Sequence, residues 1–577
     1  MSHSGGELVV RALEDEGIRF AFGIPGTHNI ELYDALATSG VRPILVTDEQ
    51  SAGFMADGLW RASGELGCVN LVPGAGLTHA LSGIAEAFMD GVPILVLGCG
   101  IRQDVRMAYQ LHDVDQLAMA APVTKATFWP LSGGELYPTI RRACAIARAG
   151  TPGPVMVEVP VNLYLTRHNV GEDSLSPPAT EPVPSASEAD LARAVEWLTA
   201  SPVRPLLYLG LGAAGAGPDL VALAERLGAP VATTISGKGV FPETHPLFLW
   251  NGFGNAAPPF VRAAAGRCDR IVAIGCRFSE VGTAGYGVTL PGPLLHVDIN
   301  PEVPGRNFPA DLAIVSDAGA FVQGLLERLG RSSLIDDRLS MIEEIRRGHD
   351  QVRRRWSEER SQDRVSPPWL VERLQAVFGR DTIYVTDSGN GTFLAMECLR
   401  LEGPGRFLAP VDYSCMGYSV PAAIGAKLGR PGAPVVALVG DGAFLMTGLE
   451  ALTAANQNIP IAIFVLRDRE LAQISQFQAT AFNRTVASRL PDYDLAAIAA
   501  GLGIECLPLA RDAEVDAVLD EVRSALAEGR PVFVDTAIDY ASRTYFTRGV
   551  VRTMLGRLAW SDRLRFVARA VVRKVTG

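Results

Sequence analysis

The sequence predicts an α/β protein with three doubly wound parallel-sheet domains and a basic helical C-terminal tail. Short apolar runs alternate with stretches of helical periodicity along most of the chain. That alternation is typical of parallel sheets covered by helices. A chain of 577 residues is also too long for one hydrophobic core.

Two segments without apolar periodicity divide this pattern into domains. Residues 171–188 are rich in Pro, Ser and acidic residues and predict a linker, and the charged residues 331–366 predict a helical connector. The three predicted domains and the tail are residues 1–170, 189–330, 367–540 and 541–577.

Apolar runs in each domain predict its buried strands. They lie at residues 41–46, 67–72, 93–97, 205–209, 230–233, 270–274, 293–297, 382–386, 435–439, 461–466 and 532–535, and the first domain closes near residues 153–160. Helical stretches such as 51–62 and 78–89 separate them.

Composition excludes several classes of function. The net charge of −11 argues against a general nucleic-acid binder. Eight scattered cysteines contain no CxxC pair, which argues against a zinc site and a disulfide framework. The N-terminus has no signal-peptide pattern, and no apolar run reaches the ~18 residues of a membrane span. We therefore expect a cytoplasmic protein.

The strongest motif is VVALVGDG at residues 435–442, an apolar strand that runs into Gly440, Asp441 and Gly442 before a helical stretch. Glycines allow a close backbone approach to a ligand, and ligands bind at the carboxyl ends of strands in open α/β sheets. An ordinary strand-to-helix turn remains the alternative.

A second strand, residues 461–466, leads to Asp468. The 24 residues between Gly442 and Arg467 are enough for one helix and a return to the neighbouring parallel strand. Asp441 and Asp468 are then expected at adjacent strand ends, where two carboxylates and phosphate oxygens would make a Mg²⁺ site. Alternatively, Asp468 forms a surface ion pair with Arg467 or Arg469.

This third domain resembles the diphosphate-binding domain of thiamine diphosphate enzymes of the acetolactate synthase, benzoylformate decarboxylase and pyruvate decarboxylase type. The family motif is GDG, a similar spacer and Asn-Asn, where this chain has Arg467-Asp468. The resemblance implies Mg²⁺ ligands from Asp441, Asp468 and the carbonyl group of Glu470. It also implies cofactor contacts along Gly440–Ala443.

Two further segments of the domain are similar to the family. DYSCMGYSVPAAIGA, residues 412–426, makes Met416 the residue that supports the bent cofactor, although a core methionine fits equally. Asn390 and Thr392 follow a predicted strand and could donate hydrogen bonds to the diphosphate, or only shape a turn.

The first domain resembles the pyrimidine-binding domain of the same family. Its stretch from Glu49 to Gly58 matches the pattern E-x-x-A-x-x-M-A-x-G, with Glu49 at the catalytic glutamate. There, a buried carboxyl with a raised pKa exchanges a proton with ring nitrogen N1′ of the cofactor. The alternative is an acid that stabilises a helix N-terminus.

Resemblance also places three histidines near the reactive carbon. His28 and Thr27 lie in the loop GIPGTHN, His79 ends a glycine-rich turn, and His112 stands where acetolactate synthases carry Gln. Titratable side chains there suit proton transfer by His28 and His112 and cofactor contact by His79, although each could be a hydrogen-bonded loop residue. Phe477 falls where acetolactate synthases have a substrate channel, or it is an ordinary core residue.

The central domain is also similar to the family, but Gly252-Phe253-Gly254-Asn255 replaces the segment typical of flavin-binding members. Some members have an empty central domain, so FAD is not expected.

The resemblance implies a thiamine diphosphate- and Mg²⁺-dependent enzyme that decarboxylates a 2-oxo acid and releases an aldehyde or a 2-hydroxyketone. Glu49 and Asp441 are expected to act across a homodimer interface, with a dimer of dimers plausible. The alternatives are a flavin-linked 2-oxo acid oxidase, a C–C lyase or hydrolase, and a catalytically silent subunit.

The tail, residues 541–577, contains nine Lys or Arg and one acid, a net of +8, so the rest of the chain carries −19. Its apolar and basic residues at helical spacing suit contact with an anionic membrane surface. We favour docking on the acidic body of the protein itself, or a role as a lid, over membrane contact.

Overall fold

Three six-stranded parallel sheets organise the chain, as the sequence predicts. The structure is a computed structural model that describes residues 2–105, 107–171, 175, 182–200, 203–330, 338–557 and 559–561. Most of the predicted linker, residues 172–174 and 176–181, lies outside the described residues, as do residues 331–337 of the predicted connector.

The first domain holds the sheet with strand order β3-β2-β4-β5-β7-β6, and β1 pairs with β8 in a separate antiparallel ribbon. Its elements are β1 (Ser2–Ser4), α1 (Gly5–Asp15), β2 (Phe20–Gly23), α2 (Ile30–Leu36), β3 (Arg42–Leu45), α3 (Glu49–Ser63), β4 (Gly67–Leu71), α4 (Ala75–Asp90), β5 (Ile94–Gly100), α5 (Gln116–Ala120), β6 (Ala126–Phe128), α6 (Gly133–Arg148), β7 (Val155–Pro160), α7 (Val161–Leu165) and β8 (Arg167–Asn169).

The central domain has the strand order β11-β10-β9-β12-β13-β14, the doubly wound order of dinucleotide-binding folds. Its elements, with the connector helix last, are α8 (Glu188–Thr199), β9 (Pro205–Leu209), α9 (Gly217–Leu227), β10 (Val231–Thr233), β11 (Phe248–Asn251), α10 (Pro259–Gly266), β12 (Arg270–Ile274), β13 (Leu294–Asp298), β14 (Leu312–Val315), α11 (Ala318–Arg328) and α12 (Arg338–Glu358).

The third domain repeats the topology of the first, with strand order β16-β15-β17-β18-β20-β19. Its elements and the tail helix are α13 (Pro367–Phe378), β15 (Ile383–Thr386), α14 (Asn390–Cys398), β16 (Phe407–Leu408), α15 (Ser419–Gly429), β17 (Val435–Gly440), α16 (Asp441–Thr447), α17 (Ala451–Asn456), β18 (Ala462–Arg467), α18 (Ala472–Phe482), α19 (Leu495–Leu502), β19 (Glu505–Leu509), α20 (Val515–Ala527), β20 (Val532–Ala537) and α21 (Tyr545–Arg557). Short 3-10 segments occupy Ala121–Val123, Leu211–Ala216, Gly448–Glu450 and Asp512–Glu514.

Helix α3 joins the first and third domains through glycines. A methyl group at Gly58 would lie 2.1 Å from the carbonyl oxygen of Ala422 in α15, and one at Gly425 would lie 1.9 Å from that of Met55. On its other side, α3 meets α4 at Gly53 and Gly83, where an added methyl group on Gly53 would lie 2.8 Å from the Cα of Gly83. The absence of side chains therefore allows backbone contact, and the two domains share one hydrophobic core.

A buried ion network crosses the same contact. Arg61 of α3 pairs with Asp57 and with Asp90 of α4, each at 2.7 Å. The hydroxyl group of Tyr418, at the start of α15, donates to Asp57. Two carboxylates therefore neutralise the guanidinium charge of Arg61, whose side chain is only 8% exposed.

The tail helix α21 docks on the body of the protein, as favoured from the sequence. The Phe546 ring stacks on that of Phe393 with centroids 4.4 Å apart, and the N–H of Tyr545 donates to Glu397 at 2.8 Å. The backbone of Gly549 packs on that of Ala256, so α21 bridges the central and third domains. The predicted apolar positions from residue 562 onward lie outside the described residues.

None of the described helices has both the length and the apolar character that a membrane crossing requires. All eight cysteines carry free thiols.

We expect Gly58→Ala to destabilise the protein, because the added methyl group would collide with the α15 backbone. Overpacking of this kind typically costs about 1–3 kcal/mol. The measurement is the midpoint of thermal or urea unfolding, which should fall.

Gly501→Ala is the matched control, because Gly501 lies in α19 with nothing within 4 Å of the added methyl group. Alanine favours helix by about 1 kcal/mol over glycine, so its midpoint should stay or rise. Equal midpoints for the two variants would show that the α3–α15 contact tolerates a side chain.

Candidate active site

Polar side chains gather at two equivalent places in the first and third sheets. In each sheet the strand order reverses between the first two central strands, β2 and β4 in one and β15 and β17 in the other. Ligands of open α/β sheets bind in the crevice outside such a switch point. The predicted site residues lie at or after the carboxyl ends of β2 to β5 in the first domain and of β15 to β18 in the third, in loops or in the helices that begin there.

Glu49 lies at the start of α3 and is buried, with 8% of its surface exposed. Asp48 caps the helix by accepting the N–H of Gln50 at 3.3 Å. A Glu49 carboxylate oxygen lies 3.3 Å from Nδ1 of His79, whose side chain is 65% exposed. His79 belongs to α4 rather than to the preceding turn, and its exposed ring lies beside the buried carboxyl of Glu49.

His28 and His112 face each other in the loops of the first domain. Their ring centroids are 5.5 Å apart, and Thr27 Oγ1 lies 3.2 Å from His28 Nδ1. Burial, and secondarily the neighbouring His112, lower the pKa of His28. His112 has a φ of 66° and its Cβ would lie 3.3 Å from a methyl group on Gly74, so the pair borders the glycine-rich turn.

Gln116 holds this turn in place, which sequence reasoning missed. Its side-chain oxygen accepts the N–H of Gly74 at 3.0 Å, and its side-chain nitrogen donates to the carbonyl of Cys99 at 3.0 Å. A glutamine at 2% exposure thus ties the turn after β4 to the end of β5. No pattern around residue 116 distinguishes this glutamine from a surface one.

In the third domain, Asp441 is the first residue of α16 and is buried. One carboxylate oxygen accepts the N–H of Gly442 at 2.8 Å, and the other accepts the N–H of Arg469 at 2.7 Å. Asp441 thereby fixes the loop after β18 against the end of β17. Burial raises the pKa of its carboxyl.

Asp468 stands on that loop beside Asp441. Burial raises the pKa of Asp468 to about 7, and the nearby charge of Asp441 adds to the effect. The Asp468 carboxylate also accepts the N–H of Glu470 at 3.3 Å. Two neighbouring carboxylates and a backbone carbonyl are oxygen ligands of the kind that Mg²⁺ prefers, so these residues fit the expected ion.

Neither flanking arginine pairs with Asp468 among the described residues. Arg467 forms ion pairs with Asp535 and Asp492, both at 2.8 Å. Arg469 pairs with Asp492 at 2.9 Å. The alternative of a surface ion pair between Asp468 and Arg467 or Arg469 is therefore wrong.

Hydrogen bonds of the Thr392 side chain hold the loop after β15 in place. Asn390 begins α14 and is buried. Thr392 Oγ1 lies 2.7 Å from Thr386 Oγ1 and also contacts the carbonyl of Asp387. The hydroxyl group of Thr392 is thus engaged at the base of the loop, and Asn390 stays the predicted diphosphate contact of this segment.

Three carboxylates clamp the segment that carries Met416. Asp387 accepts the N–H groups of Gly417 and Ser419, each at 2.9 Å. From α4, Glu86 accepts the N–H of Cys415 at 2.9 Å.

The third clamp is Asp90, which accepts the N–H groups of Val411 and Asp412 at 3.2 and 3.1 Å. The end of the Met416 side chain would lie 3.6 Å from a methyl group on Gly442. Met416 therefore projects from this clamped segment towards the start of α16, where the resemblance expects it.

Phe477 lies in a cavity of about 230 Å³ bounded by the central domain, the third domain and α21. Ser388, Gly389 and Thr392 of the loop after β15 line the same cavity, as does Gln473, which sequence reasoning missed. Gln473 precedes Phe477 by one helical turn on α18, a spacing that places both on one face.

Comparison with known proteins matches all three domains to one family. The family described as "Thiamine pyrophosphate enzyme, N-terminal TPP binding domain" matches residues 3–119. The corresponding "central domain" and "C-terminal TPP binding domain" match residues 191–325 and 387–536.

Individual relatives cover nearly the whole chain. The acetolactate synthase isozyme 3 large subunit of Escherichia coli (strain K12) is 30% identical over 559 residues, 94% of this chain and 96% of the relative. A probable acetolactate synthase large subunit of Methanocaldococcus jannaschii is 31% identical over 556 residues, 93% of this chain and 92% of the relative.

A probable 2-ketoarginine decarboxylase of Pseudomonas aeruginosa is 32% identical over 476 residues, 82% of this chain and 83% of the relative. Together with the three matched domains and the three parallel sheets, these relatives show that the chain belongs to the thiamine diphosphate-dependent enzymes of the acetolactate synthase type.

Proposed function

We propose that the chain uses thiamine diphosphate and Mg²⁺ to decarboxylate a 2-oxo acid, and then releases an aldehyde or joins the product to a second carbonyl compound. The observation that carries this proposal is the pair of carboxylates, Asp441 and Asp468, at adjacent strand ends. A bound cation would stabilise such a pair in its charged form, and in a fold of this family the cation would anchor a diphosphate.

The proposed roles follow from where each side chain stands. Asp441, Asp468 and the carbonyl of Glu470 hold the ion, and Asn390 and the segment Gly440–Ala443 hold the diphosphate. Thiamine diphosphate, when bound, supplies an electron-accepting ring that allows CO₂ to leave a 2-oxo acid. Met416 supports the bound cofactor from the clamped segment.

In this proposal the buried carboxyl of Glu49 would exchange a proton with a ring nitrogen of the bound cofactor. His79 lies next to the same carboxyl, and its proposed role is contact with the cofactor. Because its pKa is lowered, His28 is mainly neutral near pH 7 and, paired with His112, can accept or return the proton that product formation requires.

The names of the relatives point to two different products of such a decarboxylation. The acetolactate synthases support joining to a second carbonyl compound, and the probable 2-ketoarginine decarboxylase supports simple release. FAD is not part of the proposal.

Calorimetry and CO₂ release test the proposal together. We expect Mg²⁺-assisted binding of thiamine diphosphate to the full chain, and CO₂ release from at least one member of a panel of 2-oxo acids, with products identified by mass spectrometry. Absence of cofactor binding to the folded protein would overturn it. Binding without CO₂ release from any acid would favour a silent subunit or a non-decarboxylating lyase.

We also propose that the site is completed by a second copy of the chain. Next to Asp441, Leu445, Met446 and Leu449 are about half exposed, at 47%, 58% and 59%. In the first domain, Tyr109 and Leu111 are 99% and 68% exposed near the histidine pair. Exposed apolar side chains beside both halves of a site are typical of an interface.

Glu49→Gln should lower kcat by about 10²–10⁴-fold, because the amide cannot exchange the required proton. Binding of thiamine diphosphate, measured by calorimetry, should persist because the side chain keeps its shape. The exposed Glu135→Gln, in α6, serves as control and should keep full activity. Near-normal turnover by Glu49→Gln would refute the assigned role.

Asp468→Ala should weaken Mg²⁺-dependent retention of the cofactor by more than the roughly 10–100-fold that loss of an outer-sphere partner costs. Titration of Mg²⁺ against bound thiamine diphosphate measures the effect. Asp520→Ala, which removes an exposed ion pair with Arg523, should leave retention unchanged. Unaltered retention in Asp468→Ala would mean that another residue holds the ion.

Mixing two inactive variants, Glu49→Gln and Asp441→Asn, should restore activity if the site is shared between two copies. Random reassociation would give about a quarter of wild-type activity, because half of the dimers are mixed and each has one intact site. Activity after subunit exchange is the measurement, with each variant exchanged alone as control. No restoration, with mixed dimers shown by mass spectrometry, would place both residues in one copy.

A further inference from the structure

The cavity beside Phe477 has walls from three parts of the chain. Ile235, Val281 and Ala284 come from the central domain, and Phe393 comes from α14 of the third domain. The tail helix α21 contributes Phe546, Thr547 and Val550. The cavity is therefore formed only because the tail helix docks where it does.

Apolar side chains dominate this lining. The polar residues are Ser388, Thr392, Ser414, Gln473, Thr547 and Glu280. Two of them already satisfy each other, since the hydroxyl groups of Ser388 and Ser414 lie 2.8 Å apart. Thr392 is engaged at the base of its loop.

Charge in the lining is one-sided. The residues that line the cavity include a carboxylate, Glu280, but no Lys, Arg or His. Arg277, close to Glu280 in sequence, is paired with Asp412 at 2.8 Å. An anionic group in the cavity would lose water and gain no cation, which is costly, whereas an alkyl or aryl group would gain by burial.

We propose that this cavity takes the uncharged, apolar side chain of the 2-oxo acid substrate, so that the enzyme prefers larger apolar 2-oxo acids to pyruvate and to dicarboxylic 2-oxo acids. This inference rests on the proposed function. It is tied to the site because Ser388 and Gly389 of the predicted diphosphate loop line the same cavity.

The size of the cavity sets the range of substrates. Its volume of about 230 Å³ accommodates on the order of seven groups of water or methylene size, at about 30 Å³ each. Each buried methylene group should therefore raise kcat/KM by about fourfold, from about 0.8 kcal/mol of burial, until the cavity is full.

Val550 lines the cavity from the side of α21. Val550→Ala should move the preferred chain length up, and Val550→Phe should move it down. The matched control is Val551→Ala, because Val551 is the adjacent residue of α21, is likewise half-buried and does not line the cavity. Tm values for all variants separate a shift in preference from loss of folding.

The experiment measures kcat/KM for CO₂ release by the full chain with thiamine diphosphate and Mg²⁺. The donors are straight-chain 2-oxo acids of three to eight carbons, 2-oxoglutarate and 2-oxoadipate, and 2-oxo-5-guanidinopentanoate. We expect a rise with apolar chain length, a value at least about tenfold lower for each dicarboxylic acid than for its apolar equivalent, and opposite shifts for the two Val550 variants.

A flat or falling series, a preference for the guanidino acid or the dicarboxylic acids, or equal behaviour of Val550→Ala and Val551→Ala would overturn the inference. Turnover of pyruvate together with any of those results would leave the proposed function intact. No CO₂ from any donor and no cofactor binding would instead remove the proposed function itself.

Discussion

Backbone contact between α3 and its two neighbouring helices is the constraint on which the rest of the arrangement depends. Gly58 and Gly425 bring α3 against α15, and Gly53 and Gly83 bring it against α4. Glu49 stands at the first turn of α3, so these contacts fix the position of a buried carboxyl relative to both domains. Larger residues would separate the helices and move the carboxyl with them.

The same helices also hold the other domain's ligand-facing segment. Arg61 of α3 binds Asp90 of α4, and Asp90 accepts two N–H groups from the segment before Met416. Removing one member of a buried ion pair typically costs about 3–5 kcal/mol, because a charge is left without a partner. The network therefore couples the stability of the α3–α4 pair to the placement of Met416, although none of these charges belongs to the proposed chemistry.

Sequence pattern predicted the regular parts well, because buried parallel strands are apolar on both faces. Strands β9 and β12 match their predictions residue for residue, whereas the edge strands β6 and β16, of three and two residues, and the buried four-residue strand β2 were not predicted. The Asp441–Asp468 juxtaposition followed from strand adjacency. The role of Gln116 and the partners of Arg467 could not be predicted, since their contacts join residues 17 to 68 positions apart.

The Arg467-Asp468 pair, which replaces two asparagines, changes the site in a way that geometry explains. Arg467 turns away to Asp535 and Asp492, and its ring neighbour Tyr493 lies 4.6 Å from the guanidinium. Asp468 is thereby left beside Asp441, and a half-buried carboxylate next to a buried one is costly without a cation. We infer that Asp468 makes the proposed ion site more dependent on a bound metal ion than an asparagine would at the same position. An asparagine could stand beside Asp441 without repulsion.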